Sequence, residues 1–468
     1  MPEDRSRHGR EMLVPLDVRT YRIAIVNGII AMAAIRMSDE ATILPLLVHR
    51  LSGMAWVVGV TLGACTLARA VTQVLIARRM DTLQYKLPDY VASSWARGLF
   101  GLAMAASLWW ADRLPAALVI AAVAVATAAR AAGGAWSMLG FTDVLAKAIP
   151  TTKRGSLWMW RRFLGMGIAL VLVTPFVGYM IGPDSPYVFP RNYAVLFLIS
   201  TAAFATGWIL FAQVKEPPSR PSSRTLGMAM HLTRGWRLVR RDRRYRRLIR
   251  TQLLLGLAAG IRPFFVVFGA KVWGLSDEVA ATFLALQIGA EIASSVIAGR
   301  ISDRSGNRRV LIGVAITMAC SSLLALAAAL GDWNWMAQVA GRPLSMRMAV
   351  LGAAFVFGGL FMTGHVVGTL NYLMDIAPQR LRPSYQAFAT GFTVPLALAP
   401  AVYGWAADAL GFTVVFATGL VLSLAGLFVA TKLPEPRDEL PGEELERLQR
   451  APAADAGAPE DGREPSAN

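Results

Sequence analysis

The chain has 468 residues, 55% of them hydrophobic and only 16% charged, with a formal charge of +17 and a mean hydropathy of +0.46. Soluble domains carry about a quarter charged residues, so an ordinary soluble protein is excluded. Apolar runs of roughly 20 residues recur along most of the length, enough to cross about 30 Å of hydrocarbon as helices. The alternation that lipid-facing barrel strands need is absent, which leaves an all-α membrane protein.

In chain order, residues 1–21 form a charged arm without a small-residue cleavage site, so the run after it reads as a retained span rather than a secretory signal. Twelve transmembrane spans are expected near 22–48, 54–77, 89–111, 114–139, 162–182, 192–213, 250–272, 278–298, 309–330, 347–374, 386–408 and 411–431. They divide into a first six-helix bundle (22–213) and a second (250–432), joined by a cytoplasmic linker at 214–249. The linker opens as EPPSRPSSR and continues as a basic juxtamembrane helix suited to anionic lipid headgroups. The tail, 433–468, is rich in Glu, Pro, Ala and Asp and is expected to be disordered. Cys65 and Cys320 fall inside spans, where they read as small packing residues.

The basic charge is unevenly placed. Of 47 Lys and Arg, 31 lie on the N-terminal arm and the even-numbered connections, and six lie on the odd-numbered ones. Such asymmetry is the positive-inside signal, so both termini are expected in the cytoplasm. Topology accounts for the charge, and nucleic acid is not needed as a partner.

Ionisable residues at membrane depth are expensive and mark functional sites. Span 1 carries Arg36, Asp39 and Glu40, spaced so that either acid reaches Arg36 on one helix face and the other is left free. Arg69 in span 2 lies about ten residues, ~15 Å, above the following loop, and Glu291 in span 8 about eight residues, ~12 Å, above its own. The two are 222 residues apart, at equivalent points of the two halves, and a pair across a central cavity in one state is expected. Arg97 in span 3 is shallower and reads as a snorkelling side chain. Arg130 lies in span 4. Arg262 precedes Pro263 in span 7, where a broken helix would expose backbone to a cavity. His365 and Asn371 are the polar residues of span 10, the histidine reading more readily as packing than as a proton relay. Within spans, five arginines face Asp39, Glu40 and Glu291, a surplus that favours an anionic or zwitterionic solute.

An internal repeat runs through the chain. GFTDVLAKAIPTTKRGS (140–156) and GTLNYLMDIAPQRLRPS (368–384) share Gly140/Gly368, Leu145/Leu373, Pro150/Pro378, Arg154/Arg382 and Ser156/Ser384 at an offset of 228, with Asp143 opposite Asn371. GRISDRSGNRR (299–309) likewise falls on ARRMDTLQYKL (77–87) at an offset of 222, Asp303 matching Asp81 and Arg308 matching Lys86. The chain is a duplicated six-helix unit.

Here the sequence resembles the major facilitator superfamily, whose signature loop runs G-x-x-x-D-R-x-G-R-[RK]-[RK]. Gly299, Asp303, Arg304, Gly306, Arg308 and Arg309 fit it, and Asn307 departs from it. The resemblance spans roughly residues 20–432, and GTLNYLMDIAPQRLRPSY and KAIPTTKRGSLWMWRRFLG are similar to a poorly characterised bacterial branch. It implies two pseudo-symmetric bundles around a central cavity, exchanging inward-open and outward-open states, with the signature loop as a cytoplasmic latch. Physically, Asp303 suits the positive end of a helix, and the arginines suit cross-helix pairs or phosphate headgroups. Arg130 with Gly134 resembles a helix-4 motif associated with proton coupling, and TPFVG (174–178) partly matches an antiporter motif, although a proline kink explains it equally.

The expected function is a secondary transporter of a small solute, proton-coupled and working as a monomer, with export as one direction. A membrane scaffold or sensor on the same fold is the alternative. No nucleotide-binding loop, metal-ligand cluster or nucleophile elbow is present, so no cofactor, metal or enzymatic step is expected.

Overall fold

The computed structural model describes residues 17–219, 240, 242–339, 342–377, 385, 389 and 394–435. Pro378 and Arg382 of the repeat, most of the linker and nearly all of the tail lie outside the described residues.

Asp17 opens the first helix by accepting the Arg19 amide at 3.0 Å and the Thr20 hydroxyl at 2.6 Å, satisfying donors that a helix start leaves free. Helix α1 (Val18–Arg36) then stops, and α2 (Ile43–Ser52) continues toward the opposite end, so the first expected span is two helices. In the gap, the Asp39 carboxylate accepts the Ala41 amide at 2.9 Å and the Thr42 hydroxyl at 3.1 Å. A short acid that bonds nearby backbone competes with helix continuation, which is why the break falls there.

Helices α3 (Ala55–Thr82), α4 (Leu87–Trp109) and α5 (Ala116–Ala148) follow as expected. α6 (Thr151–Ile168) begins well before residue 162, which places Arg161 and Arg162 inside a helix rather than on a loop. A π-turn, Ala169–Val173, links it to α7 (Thr174–Ile181). Pro175 cannot donate the backbone bond its neighbours expect, and the π-turn sits directly before it. α8 (Arg191–Phe211) completes the first half.

The second half repeats the pattern with α9 (Arg243–Ala259), a break at Gly260–Arg262, then α10 (Pro263–Val272), α11 (Glu278–Ser305) and α12 (Asn307–Leu330). A hairpin of β1 (Met336–Val339) and β2 (Arg342–Ser345) precedes α13 (Met346–Ile376), a small departure from an all-helical chain. A 3-10 turn (Val394–Ala397), α14 (Ala399–Ala409) and α15 (Phe412–Thr431) end it. Ten stretches among the described residues are long and apolar enough to cross a membrane; α4 and α14 stand at two further expected places.

Equivalent packing recurs in both halves. Gly140 of α5 lies against the Lys86 carbonyl and Tyr90 of α4, and Gly368 of α13 lies against Val310 and Leu311 of α12. Glycine at each lets a fourth helix approach a third closely. A glutamate near the described end of each half, Glu216 and Glu435, folds back on its own half. Glu216 accepts the amides of Lys86 and Leu87 at 2.9 and 2.8 Å, at the start of α4. The Glu435 carboxylate packs on Gly306, at the start of α12, where any side chain would collide with it and where the backbone φ is +84°. Carboxylates at helix starts meet the positive end of the dipole.

These contacts define one end of the molecule, the basic end. The other end is where the bundles meet most closely: α14 runs against α3, with Gly404 over the Ala55 carbonyl and Gly59 under the Pro400 carbonyl.

Candidate functional site

The break between α1 and α2 turns two neighbouring acids in different directions. Asp39 accepts Arg36 Nη1 at 3.0 Å, while Glu40 takes both terminal nitrogens of Arg69, at 2.9 and 2.7 Å. Arg36 continues across the bundle interface: Nη1 and Nη2 donate to the two oxygens of Glu291 at 3.2 and 2.6 Å. Gln287, one turn earlier on α11, donates to the same carboxylate at 3.1 Å. Asp39, Gln287 and Glu291 are buried, Glu291 with 4% of its surface exposed, so this is a charge-assisted network held out of water.

The expected pair of Arg69 with Glu291 is therefore not present; each has another partner. The reason is symmetry. Arg69 stands on α3, which packs against α14, whereas Glu291 stands on α11, which packs against α7. Equivalent helices of a two-fold arrangement lie on opposite flanks, and the cross-bundle partner comes from α1. Nor is either acid of the first span left free.

Two further arginines close on this network. Arg162 of α6 donates Nη2 to the Thr363 hydroxyl of α13, in the other bundle, at 2.6 Å. Arg262 sits in the α9–α10 break with 5% of its surface exposed, beside Gly358, and its Nη2 has no hydrogen-bond partner among the described residues. Both lie against α13, the helix on which the Glu291-bearing α11 packs. Arg162 was missed in the sequence because WMWRRF reads as loop-edge basic residues; only the early start of α6 puts it at depth.

A second cluster lies wholly in the first bundle. Around the Glu40–Arg69 pair, Arg130 is 7% exposed and donates to Met104 Sδ at 3.7 Å. Arg97 does not snorkel: its guanidinium lies over the Phe204 ring at 3.9 Å, beside Gly134. Nearer the basic end, Arg161 donates to the Ala24 carbonyl and to Asn27 Oδ1 (3.2 Å), with Phe141 under its guanidinium at 4.6 Å. His365 stacks on Phe361 with ring centres 5.0 Å apart, and its Nδ1 is buried without a partner among the described residues. Asn371 is half-buried in α13. No group of three His, Cys, Asp or Glu among the described residues is placed to hold a metal ion, and both cysteines are free thiols.

At the end away from the basic residues, Arg50 Nη2 pairs with Asp277 at 2.6 Å between α2 and the start of α11. Burial pushes the Asp277 carboxyl above the ordinary carboxylate range, against the opposing pull of Arg50. Asp408 of α14 accepts the Trp56 amide at 2.9 Å, capping α3 of the other bundle, and Lys271 Nζ at 2.6 Å. At the basic end, Lys86 pairs with Asp143 at 2.8 Å, Lys147 with Glu216 at 3.0 Å and Arg79 with Asp89 at 3.0 Å, each within one bundle. Arg154 Nε donates to the Ile149 carbonyl at 3.0 Å, beside Pro150 at the turn into α6. Asp303 and Arg304 lie in the last turn of α11 and Asp81 in that of α3. Asn307, the departure from the signature, is buried and donates to Asp375 at 2.6 Å while accepting the Ser302 hydroxyl at 2.7 Å. Arg308 Nη2 donates to the Thr431 carbonyl at 2.9 Å; Gly306 makes the turn between α11 and α12, with Gly299 inside α11 and Arg309 inside α12.

A family model described as Major Facilitator Superfamily matches residues 270–459. The second half of the chain thus matches the superfamily that its signature loop resembles. The chain is 23% identical over 270 residues to sugar efflux transporter A of Escherichia coli (strain K12), covering 55% of this chain and 61% of that protein. It thus spans less than two thirds of that curated relative. Solved structures match nearly end to end. A mutant of the nucleoside transporter NupG gives a TM-score of 0.65 at 12% identity, over 88% of this chain and 99% of that one. A bacterial homologue of iron transporter ferroportin in an inward-facing state gives 0.64 at 12%, over 89% and 98%. D-xylose-proton symporter gives 0.62 at 15%, over 90% and 99%. At these identities the likeness is one of fold, and it covers both halves of the chain.

Proposed function

We propose that this chain is a secondary active transporter that moves a small solute by alternating access, coupled to protons, as a monomer in a bacterial inner membrane. The basic end, with both termini, faces the cytoplasm. The observation that carries the reading is the buried Arg36–Glu291 bridge, which joins the two bundles at mid-depth. A static scaffold has little use for it, since apolar side chains of similar volume commonly replace buried ion pairs at no cost in stability. In a cycling protein the same bridge is a contact that one state makes and another breaks.

The bundles are tied at the outer end by Arg50–Asp277 and Asp408–Trp56, while the basic-end pairs described above lie within one bundle each, which supports reading this as an inward-facing arrangement. The signature loop and its counterpart then form the inner latch in the opposite state. Glu291 is the coupling carboxylate in this reading, because neutralising it removes the charge that holds Arg36 to the other bundle. The surplus of buried arginines favours an anionic or zwitterionic solute. The sugar efflux relative leaves a sugar-like body with export as one direction, and the xylose-proton symporter of the same fold supports the proton.

Purified protein in proteoliposomes tests this. An imposed pH gradient is expected to drive accumulation of at least one member of a panel of small acids, zwitterions and sugars. Glu291→Gln is expected to abolish gradient-driven accumulation while sparing solute exchange. No flux of any member, with Glu291→Gln indistinguishable from the parent, sinks the reading in favour of a scaffold.

A further inference from the structure

Among the described residues, the network between the bundles is one negative charge short. Arg36, Arg162 and Arg262 contribute three positive charges, and Asp39 and Glu291 supply two negative ones. Both carboxylates are engaged by Arg36, and Glu291 also by Gln287. What Arg162 and Arg262 have instead is incomplete. Among the described residues, Arg162 meets a neutral hydroxyl and its Nε is buried without a partner, and Arg262 is 95% buried with Nη2 unmatched. A guanidinium held out of water without an anion is costly, and its planar fork fits a carboxylate-like pair of oxygens.

We propose that Arg162 and Arg262 together hold a singly charged oxyanion, such as the carboxylate of a small organic acid, and that this is the acidic group of the transported solute. The assignment rests on the transport reading for the word "transported", but the binding site stands on the charge count and the unmatched donors.

Location separates this site from the other arginine cluster. Arg97 and Arg130 are held by Phe204 and Met104 of their own bundle, so a ligand there would touch one bundle only. Arg162 belongs to the first bundle and already reaches Thr363 of the second, to which Arg262 belongs. An anion between them contacts both bundles, and only a ligand whose contacts differ between states shifts their balance. One charge also suffices: a monoanion neutralises the network with both native carboxylates ionised, whereas a dianion would leave an excess negative charge buried.

Thermal stabilisation of the purified full-length protein by matched triples of probes tests the site: glycerate, glycerol and serinol; gluconate, glucose and glucosamine; benzoate, benzyl alcohol and benzylamine. At least one carboxylate is expected to stabilise where its neutral and amine mates do not. Arg162→Gln and Arg262→Gln should each weaken its apparent affinity roughly tenfold or more, the corresponding Lys variants less. Glu291→Gln should tighten it by about tenfold, because it removes a competing anion. A purely structural role for Glu291 predicts weakening instead, and circular dichroism of each variant separates lost binding from lost folding. Binding of neutral or amine probes alone, of no carboxylate, or of carboxylates indifferent to both arginine variants overturns the site. A carboxylate that binds with these dependences yet crosses no vesicle membrane under a pH gradient overturns the transport reading and leaves the site in place.

Discussion

At the scale of single residues, the first bundle is organised by polar side chains that satisfy one another inside an apolar shell. Asn27 has 4% of its surface exposed; its Nδ2 donates to the Gly207 carbonyl at 2.9 Å and its Oδ1 accepts Arg161. It therefore ties α1 to α8 and to α6 at once. Asn27→Leu strands a carbonyl and part of a guanidinium, each costing about 1–3 kcal/mol when buried without a partner. A fall in the thermal midpoint of several degrees in detergent is expected, and Asn27→Gln should recover little of it, because the extra methylene displaces both bonds. A midpoint unchanged by Asn27→Leu would show that water serves these groups equally well. Sequence reading passed over Asn27 because a lone Asn in an apolar helix carries no spacing signal; its partners are more than 130 residues away.

Among elements, the decisive contact is α14 on α3. A side chain at Gly404 would meet the Ala55 carbonyl and the Trp56 Cα, backbone atoms that do not move aside. Gly404→Leu is therefore expected to force the outer ends apart and populate an outward-open state, read as increased labelling of a cysteine placed near Trp56 by a membrane-impermeant thiol reagent. The same outer contact responds to pH through Asp277. Its carboxyl is raised by burial in the closed outer end, so the closed arrangement binds a proton more tightly than an open one with a solvated carboxyl. By linkage, the proton's contribution to closure is complete below the ordinary carboxylate value and is lost as pH rises through the raised one. Acidification should thus reduce that cysteine's labelling, and Asp277→Asn, neutral at every pH, should remove the pH dependence. A persistent pH response in Asp277→Asn would move the effect to another group, with His49 and Asp408 next in line.

For the whole molecule, the proposed alternating access requires the outer end to open in every cycle. Cysteines at Arg50 and Asp277, in a background lacking Cys65 and Cys320, joined by a short bis-thiol linker, should therefore stop flux. Solute binding from the basic end should survive within about twofold, and cleavage of the linker should restore transport. Flux that persists through the tether would mean the solute path does not pass the outer contact. Glu216 and Glu435 brace the starts of α4 and α12 inside their own bundle, contacts that a bundle moving as a body would keep.

Much of this was written in the chain. Hydropathy set the helical class, because hydrocarbon length and helical rise leave little choice of span. The repeat of 140–156 at 368–384 and the loop 299–309 pointed to two halves and to the superfamily, since a duplicated unit keeps its turn residues where glycine and proline geometry demands them. Arg36, Asp39, Arg262 and Glu291 were visible because a charge in an apolar run is conspicuous at any register.

Pairing was not visible. Whether Glu291 meets Arg69 or Arg36 depends on which helices of two facing bundles are neighbours, and sequence offset carries only equivalence, not adjacency. The depth of Arg162 depended on where α6 starts, and charges at a helix edge blur that boundary. The opposite headings of Asp39 and Glu40 required the break at 37–42, which adjacent acids announce only once their partners are in place. Spacing along one chain fixes which groups are buried; the crossing of helices from distant segments decides which of them touch.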